Sequence, residues 1–293
     1  MKQSEIADML GISIMLVSRT LKRATEEGIV TIHVKMPVEL DLNLGKEMLK
    51  KFPSLRECLV LQVESNDDIR TKVGELAAQY VADILKPNDV MGISWGKTIY
   101  EFARALPLLK MPGANIIQLS GGFLNLSNYL IMPSNLVKLV SERLGCASFF
   151  INAPMFVSST DVKQQLLQDP NNQYINKLAK QSQINIIGLS QLSARSTVSK
   201  VGIVSNSDIE ELHALGAIGD IAGFFIDRNG DEIEWSKKNL YIGTDLETIS
   251  HAHHVIGLAG EAEKAEVCYL GIQKGYFNIL ITTVDMANEL IKA

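Results

Sequence analysis

Two short helical periodicities open the chain. Ile6, Ala7 and Leu10 share one face of residues 3–10, and Val17, Leu21 and Ala24 share one face of residues 13–26. Gly11-Ile12 interrupts the pattern between them. Gly11 suits a turn that needs positive φ, and Ser13 suits the N-cap of the second helix. Residues 28–34 then alternate as a strand does. Two helices, a tight turn and a strand outline a winged helix-turn-helix. In that arrangement Ser18 and Arg19 reach base edges, while Lys22 and Arg23 meet phosphate. A helical hairpin that only caps a larger domain has the same spacing, so both readings stand at this point.

From about residue 52 the pattern changes. Runs that are apolar at nearly every position (58–63, 89–93, 115–119, 147–151, 184–189, 255–259 and 279–282) alternate with amphipathic segments (69–85, 97–106, 135–144, 261–273 and 285–291). Strands apolar on both faces must be covered on both faces, which predicts an α/β fold: a doubly wound, mostly parallel sheet. The expected division is a helix-turn-helix over 1–36, a charged linker helix over 37–51 and a ligand-binding body over 52–293.

Composition narrows the function classes. With 293 residues and 46% hydrophobic content the chain can bury one large core beside a small domain. A net charge of −5 excludes a surface coated with basic residues for indiscriminate nucleic-acid binding. The first 35 residues set Lys2, Arg19, Lys22, Arg23 and Lys35 against Glu5, Asp8, Glu26 and Glu27. A head so weakly basic implies that several copies act together on DNA. Cys58, Cys146 and Cys268 are odd in number and widely spaced, which suggests neither a disulfide framework nor a thiolate metal site. No apolar run reaches the ~18 residues of a membrane span, and the first helix is polar. The expectation is a cytoplasmic, unprocessed protein without a membrane partner.

In a doubly wound sheet, ligands bind outside the carboxyl ends of the strands. Three loops there could carry chemistry. Ser94-Trp95-Gly96-Lys97-Thr98 opens a helix, but Gly92 and Gly96 are one residue too close for a nucleotide-binding P-loop; what remains is a helix N-terminus suited to an anion. Ser120-Gly121-Gly122 offers successive backbone N–H donors, with Ser134 as a cap and Asn135 in the first turn of the following helix. Lys264 is expected in the first turn of a helix, where a cation is unfavourable unless an anion is close by. Residues 216–230 read as a glycine-punctuated hairpin in which Asp220, set among apolar residues, needs a partner or a ligand hydroxyl. His251, His253 and His254 lack a companion carboxylate or cysteine at metal-binding spacing and read as a solvated loop. No nucleophilic triad or carboxylate pair can be argued from spacing.

Seven short motifs, in order along almost the whole chain, resemble the SorC family of bacterial sugar-responsive transcriptional regulators (DeoR/SorC type). They are Gln3-Ser-Glu-Ile-Ala7 with Val17-Ser-Arg19 and Glu27-Gly-Ile-Val30, then Val90-Met-Gly-Ile-Ser-Trp-Gly96, Gln118-Leu-Ser-Gly-Gly122, Gly216-Ala-Ile-Gly-Asp220 and Ala259-Gly-Glu-Ala-Glu-Lys264. The resemblance implies a winged helix-turn-helix joined to a phosphosugar-isomerase-like effector domain, assembled as a dimer or tetramer on operator DNA. It implies a phosphorylated sugar as effector, with no cofactor, no metal and no catalysis. Carried over by position, Ser120, Gly121, Gly122, Asn135 and Lys264 hold phosphate or neighbouring oxygens, and Asp220 meets hydroxyls. Ser120 stands where some relatives carry a Schiff-base lysine, so reversible binding is expected.

There are three departures from the family pattern. Glu261 replaces the second glycine of an Ala-Gly-Gly motif, which places a negative charge near the expected phosphate. Ile14, Met15 and Leu16 fill helix positions that are usually polar and DNA-facing, while Thr20 replaces a core apolar residue. The family also has a helix before the one at Gln3, so the reading head is expected to be incomplete. Two alternatives therefore stand beside the regulator: a phosphosugar isomerase or deaminase using Asp220, Glu261 or Glu263 as general base, and an effector-binding remnant that no longer reads DNA.

Overall fold

The computed structural model describes residues 3–26, 39–64, 68–123, 129–193 and 196–293. The chain forms two compact units, residues 1–38 and 39–293.

In the first unit, helices Gln3–Leu10 and Ile14–Glu26 flank a turn at Gly11, whose φ is +64°. The Ser13 hydroxyl accepts from the Leu16 N–H at 3.2 Å, as an N-cap should. Ala7 and Val17 are buried, whereas Leu10 and Leu21, expected on the same apolar faces, are exposed. Ser18, Arg19, Lys22 and Arg23 all lie on the exposed surface of the second helix. Ile14, Met15, Leu16 and Thr20 are exposed as well. The expected strand at 28–34, together with Lys2 and Lys35, lies outside the described residues.

The second unit is built on strands β1 Glu57–Leu61, β2 Val90–Ile93, β3 Asn115–Gln118, β4 Ala147–Phe149, β5 Ile184–Gln191, β6 Gly219–Ile221, β7 Phe224–Ile226, β8 His254–Leu258 and β9 Ile279–Thr283. Seven of them run parallel in the order β1-β9-β8-β5-β2-β3-β4. Their apolar runs explain the arrangement: Met91, Ile93, Ile116, Ile117, Ile186, Ile187 and Ile279–Ile281 are all buried, as strands with helices on both faces must be. The short strands β6 and β7 form the expected hairpin, paired antiparallel to the far end of β5. From β2 the chain runs outward through β3 and β4, and β5 then returns to the other side of β2. The reversal leaves a crevice at the carboxyl ends of β2 and β5, where doubly wound sheets bind ligands.

The expected linker helix is part of this body. Helix Leu42–Lys51, capped by Asp41, begins later than its sequence suggested, and its buried Leu44 and Met48 join Phe52 and Leu55 in the main core. Its apolar stripe is the reason: a helix with that stripe is more stable docked than in solvent. Ser134 is not a cap either. Pro133 opens the helix Pro133–Leu144, and Ser134 and Asn135 both fall in its first turn. Before helix Ala265–Gln273, a 3-10 turn Ala262–Lys264 makes Lys264 the N-cap rather than a first-turn residue.

Candidate functional site

The crevice between β2 and β5 holds a cavity of about 100 Å³. One wall follows β2. Gly96 (φ +127°) turns the chain into helix Lys97–Ala105, and no side chain caps that helix. Its first N–H groups are therefore left for water or a ligand, and its dipole favours an anion. Lys97 occupies the first helical position and lines the cavity. Burial holds its ammonium below the ordinary lysine pKa, Arg70 and Lys200 push the same way, and Glu261 opposes them. Trp95, 6% exposed, also lines the cavity, and its indole N–H is buried without an acceptor. A buried donor left unmatched is costly, so an acceptor at that point would be favoured.

The opposite wall is the hairpin. Asp220 on β6 faces Ser190 on β5 across the ladder, and both line the cavity. Ala222 and Gly223 make the two-residue turn, with φ of +57° and +97°, the left-handed pair that a tight hairpin requires. The Ala222 N–H donates to the Gly188 carbonyl at 2.9 Å, and the Gly223 N–H donates to Asp220 Oδ2 at 3.0 Å. Asp220 is 5% exposed. Burial pushes its carboxyl up to about 7, against the Gly223 N–H and the Lys264 charge, which both favour the ionised form.

The rim carries an ion-pair triad. Glu261 Oε1 lies 2.7 Å from Arg70, at the start of helix Ile69–Ile84, and Oε2 lies 2.8 Å from Lys264. Burial raises the Glu261 pKa, but Lys264 and Arg70 more than offset that and leave the carboxyl below its ordinary value. The anion that Lys264 needs at a helix start is thus supplied by the chain itself.

Of the six residues expected to meet the effector, the structure brings Asp220 and Lys264 together on one cavity. Ser120, Gly121, Gly122 and Asn135 do not line it. The Gly121 N–H donates to the Ile242 carbonyl at 2.8 Å and the Gly122 N–H to the Ala153 carbonyl at 2.8 Å, so the donors expected to cradle phosphate are committed to backbone. Ser120 is buried with an unmatched hydroxyl, and the Asn135 amide donates to the Tyr129 carbonyl. Gly121 has a packing role instead: a Cβ there would lie 2.6 Å from the Pro154 carbonyl oxygen. Gly121→Ala is therefore expected to destabilise the protein by about 1–3 kcal/mol, read by chemical denaturation. The turn at Lys97, suited to an anion, is visible in the sequence; its companions Arg70, Ser190 and Gln191 are not. Glu263, proposed as a base, is exposed at the rim. Among the described residues no cluster of three or more His, Cys, Asp or Glu could hold a metal.

A helix-turn-helix unit joined to a parallel α/β body with a polar cavity at its switch point defines a ligand-responsive transcriptional regulator. The body matches the Sugar-bind family of sugar-binding domains over residues 36–292, and residues 1–31 match a winged helix-turn-helix DNA-binding family. The chain belongs to the SorC/DeoR group of sugar-responsive transcriptional regulators. It is 26% identical to the deoxyribonucleoside regulator of Bacillus subtilis over 291 residues, covering 99% of this chain and 92% of that one. It is likewise 26% identical to the transcriptional regulator LsrR of Escherichia coli K12 over 295 residues, covering 99% and 90%. The full-length sorbitol operon regulator SorC from Klebsiella pneumoniae shares the fold at a TM-score of 0.77 and 24% identity, covering 99% of this chain and 94% of that one. No helix among the described residues is long and apolar enough to cross a membrane.

Proposed function

We propose that the protein regulates a carbohydrate catabolic operon by binding operator DNA as a cytoplasmic homo-oligomer, and that a phosphorylated sugar bound in the β2–β5 cavity controls it. One observation carries the reading. An uncapped helix N-terminus with Lys97 faces, within one cavity, the buried carboxyl of Asp220. The first suits a phosphate and the second suits hydroxyls. Of the carboxylates considered as general base, Glu261 has both oxygens engaged by cations, which disfavours it in that role.

Thermal shift and turnover assays with a panel of sugar phosphates test the effector role. Stabilisation without turnover supports it, and turnover replaces it with catalysis. For DNA, exposed Arg19 is assigned to base edges and Lys22 to phosphate on this reading. Arg19→Ala is expected to cost about 1–3 kcal/mol and relax sequence preference, whereas Lys22→Ala weakens all sequences evenly and flattens the salt dependence. Fluorescence anisotropy with operator and random duplexes separates the two. Wild-type protein that shows no sequence preference, with or without effector, would end the regulator reading.

A further inference from the structure

Three cations, Lys97, Arg70 and Lys264, line the cavity, yet they are not equally open to a ligand. No carboxylate pairs with Lys97 among the described residues, whereas Glu261 reaches Arg70 with one oxygen at 2.7 Å and Lys264 with the other at 2.8 Å. Two of its members are enclosed, the Glu261 and Lys264 side chains being 13% and 14% exposed, whereas Arg70 is 40% exposed. The triad is also well anchored. Glu261 follows Gly260, whose carbonyl accepts the Thr283 hydroxyl at 2.7 Å at the end of β9, and Arg70 sits on a helix capped by Asp68. An incoming phosphate at Lys264 would have to displace a part-buried carboxylate or sit beside it, and both are unfavourable.

We propose that Glu261 is a specificity-determining residue whose carboxylate fills the place of a second ligand anion, so that the cavity accepts a sugar monophosphate and excludes a sugar bisphosphate. The single phosphate sits at Lys97 and the helix N-terminus. The uncharged polyhydroxyl end meets Asp220, Ser190 and the shielded side of Lys264. This inference rests on the effector-site reading above and gives it a charge rule.

Phosphate binding to the full chain tests it. Inorganic phosphate is titrated by ³¹P NMR into the wild type, Lys97→Gln, Glu261→Gln and Glu261→Gly, with circular dichroism confirming the fold of each. The wild type is expected to show one saturable phosphate site, lost in Lys97→Gln. Both Glu261 variants are expected to gain a second site, with affinity there at least about tenfold above the wild type. In parallel, the preference for fructose 1,6-bisphosphate over fructose 6-phosphate should rise at least about tenfold in the same two variants. Two Glu261 variants of different size guard against one failing to fold. If both bind phosphate with wild-type stoichiometry and affinity while Lys97→Gln loses it, the role given to Glu261 is wrong and the effector site stands. Wild-type phosphate binding that is absent or indifferent to Lys97→Gln overturns the site itself, and the proposal with it.

Discussion

Replacing Lys97 by glutamine is expected to weaken binding of a sugar phosphate about 10- to 100-fold while leaving the apo protein at least as stable as the wild type. Charge-assisted hydrogen bonds to a phosphate contribute roughly 1.5–3 kcal/mol, which sets the scale of the loss. The apo protein should tolerate the change because Lys97 is held there against its own preference. Burial, Arg70 and Lys200 all disfavour its charge, and a neutral amide escapes all three. Calorimetric titration together with thermal unfolding separates the two effects. A merely structural lysine would give the opposite pattern, with lower stability and unchanged affinity, and that outcome would remove the anion site from the helix start.

Asp220→Asn should make the protein more stable at pH 8 and no different at pH 4. The wild-type carboxyl is pushed up to about 7 in the folded protein, chiefly by burial, against an ordinary value of 3.8. The folded state therefore holds a proton that the unfolded chain releases across this interval. Stability falls as pH rises from about 4 to about 7 and then levels off. The full difference is up to about 4 kcal/mol, and the asparagine variant, which cannot ionise, escapes it. Its amide oxygen can still accept the Gly223 N–H. Effector affinity should carry the same signature. Above pH 7 the ionised Asp220 repels an anionic ligand, so wild-type affinity falls while that of the variant does not. The phosphate titrates near pH 6 and affects both proteins alike, which makes their ratio the informative quantity. Denaturant midpoints at a series of pH values that run parallel for the two proteins would show that Asp220 does not titrate in this range.

The sheet was legible because its strands are short runs buried on both faces, such as Met91 with Ile93 and the Ile279–Ile281 run, and such runs leave little choice of structure. Several helices were not. Thr160–Leu167 buries none of its residues and so shows no apolar stripe to read, although Ser159 caps it. Asn206–Ala214 announces itself only through the capping box of Ser205 and Asp208. At the site, Asp220 and Lys264 stood out because each is chemically awkward in its local sequence, one a carboxylate among apolar residues and the other a cation at a helix start. Ser190 and Arg70 have no such local oddity. They reach the cavity because parallel strands far apart in sequence end at the same edge of the sheet, and spacing along the chain cannot show that. Gly121 misled for a different reason: close approach to a phosphate and close approach to the backbone at Pro154 demand the same residue.

The hairpin that carries Asp220 has one more implication. Asp220 and Ser190 face each other in a hydrogen-bonded ladder, which fixes the spacing of the two Cα atoms from which their side chains project. Lys97, Arg70 and Lys264 reach the same cavity on long stems rather than from that ladder, so each can be exchanged without altering its spacing. The site therefore joins a rigid gauge for the stereochemistry of ligand hydroxyls to adjustable arms for ligand charge. Substitutions on the arms can retune the charge and length of an accepted effector without disturbing the part that tells one sugar epimer from another.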